Sequence, residues 1–195
     1  YEFVFGDCSS DVCSSDLGPP RGARTLGAPQ DHPLRGPGME IIKDNFRFLV
    51  IEAEGQLKLT YGLLSQFDLR VLEKIAAKDD YIDNLKTTIE NACFSTIHSA
   101  KQALGQNELN DIRALHVMAV NLERIADYCV NIGRQTRYLS DVGLLSRYDF
   151  KSMFMEIQKA LTQISQVFAA KELSGALAIC RSEFQIGRAS CRERV

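Results

Sequence analysis

From Met39 onward, apolar residues recur at alternating spacings of three and four, and this pattern constrains the chain more than any other feature. Phe46, Val50, Ala53, Leu57, Leu64 and Phe67 follow it, with Thr60 the one polar member of the series. That spacing lays a narrow, coiled-coil-like seam along a long helix, whereas a strand would repeat every two residues. Asp68 is placed to cap a second helix, whose seam runs Leu72, Ile75, Ile82, Ile89, Cys93, Thr96 and Ala100, with Asp79 and Lys86 at two seam positions. Gly105 is expected to stop it. Asn107 or Asn110 opens a third helix, with a seam of Ile112, Leu115, Ala119, Leu122, Ala126, Cys129, Gly133 and Thr136. Small residues every seven positions, at Ala119, Ala126 and Gly133, let a neighbouring backbone come close. Asp141-Val142-Gly143 reads as a turn. Three long helices with short connections predict an all-α, antiparallel three-helix bundle.

A fourth helical pattern starts near Asp149 and carries Phe154, Ile157, Leu161, Ile164 and Phe168. It breaks near Lys171–Glu172, and a fifth follows with Leu173, Ala176, Leu177 and Cys180. Sliding residues 49–79 forward by 104 places Leu57 on Leu161, Leu64 on Phe168, Asp68 on Glu172, Leu69 on Leu173, Ile75 on Ile179 and Asp79 on Glu183. The pattern reads as an internal repeat: a complete unit over 39–142, then a similar one over 147–185 that stops partway through its second helix. An orphaned apolar face on the fourth helix favours self-association.

The ends read differently. Residues 8–17 hold Cys-Ser-Ser-Asp twice, and 186–195 spell Ile-Gly-Arg-Ala-Ser-Cys-Arg-Glu-Arg-Val. Cys-Ser-Ser-Asp-Leu back-translates to TGCTCTTCCGATCT, whose complementary strand encodes Ile-Gly-Arg-Ala. Residues 1–17 and 186–195 therefore read as translated sequencing adapter, outside the native protein. Between them and the helices, 18–38 holds Gly18, Pro19, Pro20, Gly22, Gly27, Pro29, Pro33, Gly36, Pro37 and Gly38. That density predicts a disordered leader, with Met39 as the native start.

Composition narrows the function classes. A formal net charge of −2 gives no electrostatic footprint for nucleic acid. No apolar run approaches the ~20 residues of a membrane span. Setting the ends aside leaves Cys93, Cys129 and Cys180, all in helical patterns, which fit a reducing compartment better than a disulfide framework. His98 follows Ser95 and His116 follows Arg113 at three residues, so the Glu-x-x-His pairs of a di-iron bundle are missing. No nucleophile elbow or phosphate loop appears. Arg124, Arg134 and Arg137 give the third helix a basic edge that reads as a solvated face.

The chemistry-bearing pattern is acidic. Glu123, Asp127 and Asn131 sit four apart on the third helix. Asp79, Asp83, Lys86 and Glu90 share a face of the second. Carboxylates at i and i+4 repel by a few tenths of a kcal/mol on a bare helix, so solvent, a basic group or a cation must offset them. A hairpin turning near residue 106 would set Glu123 level with Glu90, Asp127 near Lys86 and Leu85, and Asn131 near Tyr81 and Ile82, within reach of Asp83. Clustered hard oxygens suit iron, magnesium or manganese.

The run Asn121-Leu-Glu-Arg-Ile-Ala-Asp-Tyr-Cys-Val-Asn-Ile132 resembles the signature helix of the PhoU family, with Ala126 where that signature carries Gly. Lys78–Cys93 resembles the family's second-helix pattern through Asp79, Asp83, Glu90, Ala92 and Cys93. The resemblance implies a helical, cytoplasmic, non-enzymatic regulator of phosphate uptake and phosphate signalling. It implies metal ligands at Glu123 and Asp127, with Glu90 and Asp83 as partners, for iron, zinc, manganese or magnesium. Lys86 stands where the family is usually acidic, and a Lys86–Asp127 pair would neutralise the face without metal. The implied partners are the ATPase subunit of a phosphate ABC transporter and a phosphate-responsive sensor histidine kinase, with peripheral membrane association at most and homo-oligomerisation open. Two rival readings are a PhoU-like tail of a sodium–phosphate cotransporter and a generic helical interaction bundle.

Overall fold

The computed structural model describes residues 37–100, 104–139 and 150–191, together with 141, 143 and 145. The expectations for 1–17 and for most of the 18–38 leader lie outside the described residues. Five helices follow in order: α1 Pro37–Ser65, α2 Leu69–Ser99, α3 Gln106–Thr136, α4 Phe150–Ala170 and α5 Leu173–Cys191. Among the described residues there is no strand, so the all-α expectation holds.

α1 starts at Pro37, two residues before the expected Met39, because proline fits a first helical turn whose N–H groups have no intrahelical acceptor. Asp68 caps α2 as expected, accepting from the Arg70 N–H at 2.8 Å. Gly105 does a different job from the one its position suggests. α2 ends at Ser99, capped by Ala100, whose N–H donates to the Thr96 carbonyl. Gly105 instead caps α3, its N–H donating to Glu108 Oε2 at 3.0 Å. That contact starts α3 at Gln106 rather than at Asn107 or Asn110. At Asp141 the turn closes when the Gly143 N–H donates to Asp141 Oδ1 at 2.9 Å. α5 runs on to Cys191, past the residue 185 where its pattern was expected to end.

α1, α2 and α3 pack on one another in antiparallel sequence, and α4 lies against α1. Phe46 meets Phe168 at 6.2 Å between ring centroids and Tyr61 meets Phe154 at 5.4 Å, so α4 runs antiparallel to α1. Three neighbours widen the buried face of α1 beyond a seam. Ile42, Leu49, Gln56 and Leu63 are buried with Phe46, Val50, Ala53 and Leu57, whereas Phe67, past the helix end, is exposed. α5 packs chiefly on α4. The α4–α5 turn places Lys171 at φ 52°, a left-handed residue between two helices. Its ammonium meets Asp111 near the start of α3 at 3.0 Å.

Of the small residues on the α3 seam, Gly133 is the most constrained. A Cβ there would meet Leu72 Cδ1 at 2.8 Å and Leu63 Cδ2 at 3.3 Å. Ala119 and Ala126 are fully buried.

Candidate functional site: an acidic ladder between two helices

The backbone of the α2–α3 hairpin fixes which acids meet. Cys93 Sγ lies 4.0 Å from the Ile112 carbonyl oxygen, and His116 Nε2 lies 3.3 Å from Glu90 Oε1. Both pairs centre the hairpin near residue 103, not 106. Partners move by six residues, about 9 Å along a helix. Glu90 therefore faces His116 and not Glu123. The His116 ring also packs edge-on against Phe94, 5.9 Å away.

The same register sets Asp83 level with Glu123 and Asp79 level with Asp127, with about 6 Å between these two rungs. Both rungs are acid against acid. Glu123 and Asp83 come within hydrogen-bonding reach, and the Glu123 carboxyl is pushed above its ordinary value. Burial is the largest cause, followed by the charge of Asp127; Lys86 opposes the shift, and Asp83 adds to it. Lys86 thus acts on Glu123, not as the Asp127 partner that the later turn implied. Asp79 is raised as well, first by burial and then by Asp127, Asp83 and Asp80, while a hydrogen bond with the Gln56 side chain favours its ionised form. The sequence brings four of its marked acids together and sends Glu90 elsewhere. Asn131 is exposed.

Beneath this ladder runs a polar column that seam reading largely passes over. Gln56 is fully buried on α1 and donates through Nε2 to the Ile75 carbonyl of α2 at 3.0 Å. Its Oε1 is buried without a hydrogen-bond partner. Thr60, also fully buried, donates to the Gln56 carbonyl at 2.9 Å. Cys129 lies against Thr60, and burial raises its thiol, with Asp79 adding to the effect and the Thr60 hydrogen bond opposing it. Cys93 is pushed up to about 11 by burial and by Glu90. Both thiols are poor nucleophiles in these settings. The signal for Gln56 was its place four residues before Thr60, on a face wider than one seam. Glu52, which pairs across to Lys78 of α2, gave no such cue.

Hard oxygens on two helices have the donor chemistry of a cation site. Among the described residues, however, no group of three His, Cys, Asp or Glu side chains is arranged to hold a metal ion. The ladder as it stands can share protons between facing carboxyls and attract positive charge.

An all-helical bundle with an acidic seam between two long helices is the class that fold and site define. The PhoU domain family model matches residues 51–136, from the second half of α1 to the last residue of α3, and takes in every rung of the ladder. That stretch, under half of the chain, is similar to the PhoU domain. No curated protein and no solved structure matches the chain.

Proposed function

We propose that the protein is an accessory regulator of phosphate uptake and of phosphate-responsive signalling, acting as a helical adaptor. The observation that carries this reading is the coincidence of the PhoU domain match with the acid ladder, Asp83 facing Glu123 and Asp79 facing Asp127. A three-helix bundle offers rigid faces on which two partners can be held. The proposed partners are the ATPase subunit of a phosphate ABC transporter and a phosphate-responsive sensor histidine kinase. The proposed location is the cytoplasmic side of the membrane. Among the described residues no helix is long and apolar enough to cross a membrane, which fits peripheral docking.

Iron, zinc, manganese or magnesium at Glu123, Asp127 and Asp83 would neutralise the ladder and stiffen the hairpin. The carboxylates would have to turn inward first, and Glu90 would have to leave His116. The adaptor role does not require that step.

Deletion of the gene in its host tests the reading. Alkaline-phosphatase output should rise under phosphate excess and fall back when the intact gene is restored. Normal repression in the deletion strain would end the proposal. Elemental analysis of freshly purified protein addresses the metal separately: metal that is substoichiometric and unchanged by Glu123→Ala would remove it.

A further inference from the structure

α1 carries a second pattern on the side turned away from the bundle. Counting from Ile41 in alternating threes and fours gives Asp44, Phe48, Ile51, Gly55, Lys58 and Gly62. These residues share one face of the helix, opposite the buried face that packs on α2, α3 and α4. Ile41, Phe48 and Ile51 on it are 52%, 56% and 59% exposed.

The order of the residues says more than their exposure. The bulky side chains occupy the first half of the face and the glycines the second. Gly62 has no atom within 4 Å of a prospective Cβ, and Gly55 meets only the tip of the Lys78 side chain, at 3.6 Å. Both are notches open to solvent. The charges are ordered as well. Asp44 pairs with Arg47 at 2.9 Å beside the bulky half, and Glu54 pairs with Lys58 at 2.6 Å beside the notched half.

Turned end for end, this face complements itself. Two antiparallel α1 helices centred near Ile51 set Phe48 over Gly55 of the other copy and Ile41 over Gly62, and two-fold symmetry repeats each contact. The same register sets Asp44 against Lys58 and Arg47 against Glu54, so two pairs within the chains merge into a four-charge network at either end. A parallel pair would stack Phe48 on Phe48, Asp44 on Asp44 and Lys58 on Lys58, and would leave the notches empty.

We propose that the outer face of α1 is the interface of a symmetric, antiparallel dimer with a second copy of this chain. The face runs about 30 Å along the helix. One helix pair is small for a specific interface, so the dimer forms at micromolar concentration. The acid ladder lies between α2 and α3, away from this face, and the dimer presents it twice.

Sedimentation equilibrium of the full chain is the test. Between about 1 and 100 μM the average mass should climb from monomer toward dimer. Asp44→Lys and Lys58→Asp each put like charges across the interface, and each should raise the dimer dissociation constant at least about tenfold. Mixed in equal amounts, the two variants should associate nearly as tightly as the parent, because every Lys then faces an Asp. Gly55→Leu fills a notch and should abolish the dimer. In dilute solution its far-UV ellipticity and urea midpoint should be no lower than the parent's, which separates a lost interface from a lost fold. Three results would each overturn the proposal: a monomer throughout that range, a dimer that neither charge variant weakens, or weakened variants whose mixture does not recover.

Discussion

Single residues in this protein separate into those that space controls and those that charge controls. Gly62 has no atom within 4 Å of a prospective Cβ, whereas Gly133 would meet Leu72 at 2.8 Å. Both are helical, so alanine gains up to about 1 kcal/mol of helix propensity at either site. At Gly133 the overpacking costs about 1–3 kcal/mol and reverses the sign. Gly62→Ala should therefore raise the urea midpoint and Gly133→Ala lower it; equal shifts would mean that α3 can slide to make room. Charge governs Asp79 and Glu123. Each carboxyl is held above its ordinary value in the folded protein, so the folded state binds those protons more tightly than the unfolded chain. The stability this provides is complete below the unfolded values and is lost as pH rises through the folded ones. The double variant Asp79→Asn, Glu123→Gln should be more stable than the parent at pH 8, by under about 1 kcal/mol per site given their partial exposure, and the gap should close toward pH 4. A gap that widens on acidification would show that the ladder is stabilised by its charges.

At the scale of helices, the seams of α2 and α3 were legible because period 3.5 survives in Leu72 through Cys93 and in Ile112 through Thr136, most of which are buried. α1 was read too narrowly. A seam describes a helix with one neighbour on a side, and α1 has three, so Leu49, Gln56 and Leu63 are as buried as the residues the pattern marked. The acid ladder was legible as two faces but not as rungs. Its register depends on where the connection turns, and Gly105 is equally compatible with ending α2 and with beginning α3. Glu108 decides, by reaching back to the Gly105 N–H, and that puts Glu90 against His116. Sliding the sequence forward by 104 residues also points to a missing contact. Glu52 pairs with Lys78 between α1 and α2. Its counterpart Glu156 has a buried Oε2 with no hydrogen-bond partner, and Ser182 stands where the register calls for lysine. Ser182→Lys should tie α5 to α4 and raise the urea midpoint by the equivalent of about 0.5–1 kcal/mol. Pairing it with Glu156→Gln should cancel the gain; a gain that persists in the double variant would trace to helix propensity instead.

Across the whole molecule, burial falls from α1 outward. α1 packs extensively on α2, α3 and α4, whereas the main packing of α5 is on α4, with Leu173 and Leu177 left in solvent. A helix held on one side opens locally at low cost, while the amides of a helix surrounded by three others exchange only when the bundle comes apart. Hydrogen exchange read by mass spectrometry should therefore rank the helices, with peptides covering Ile42–Thr60 of α1 slowest and α5 fastest. A difference of about 4 kcal/mol in opening free energy gives about a thousandfold between them. Thiol chemistry gives an independent ranking. Cys180 is exposed on α5, and Cys93 and Cys129 are buried with raised thiols. Iodoacetamide followed by peptide mapping should modify Cys180 within the dead time of hand mixing, and the other two only at the rate of global unfolding. Equal protection of α5 and α1, with Cys180 as slow as Cys129, would mean that α5 is covered in solution.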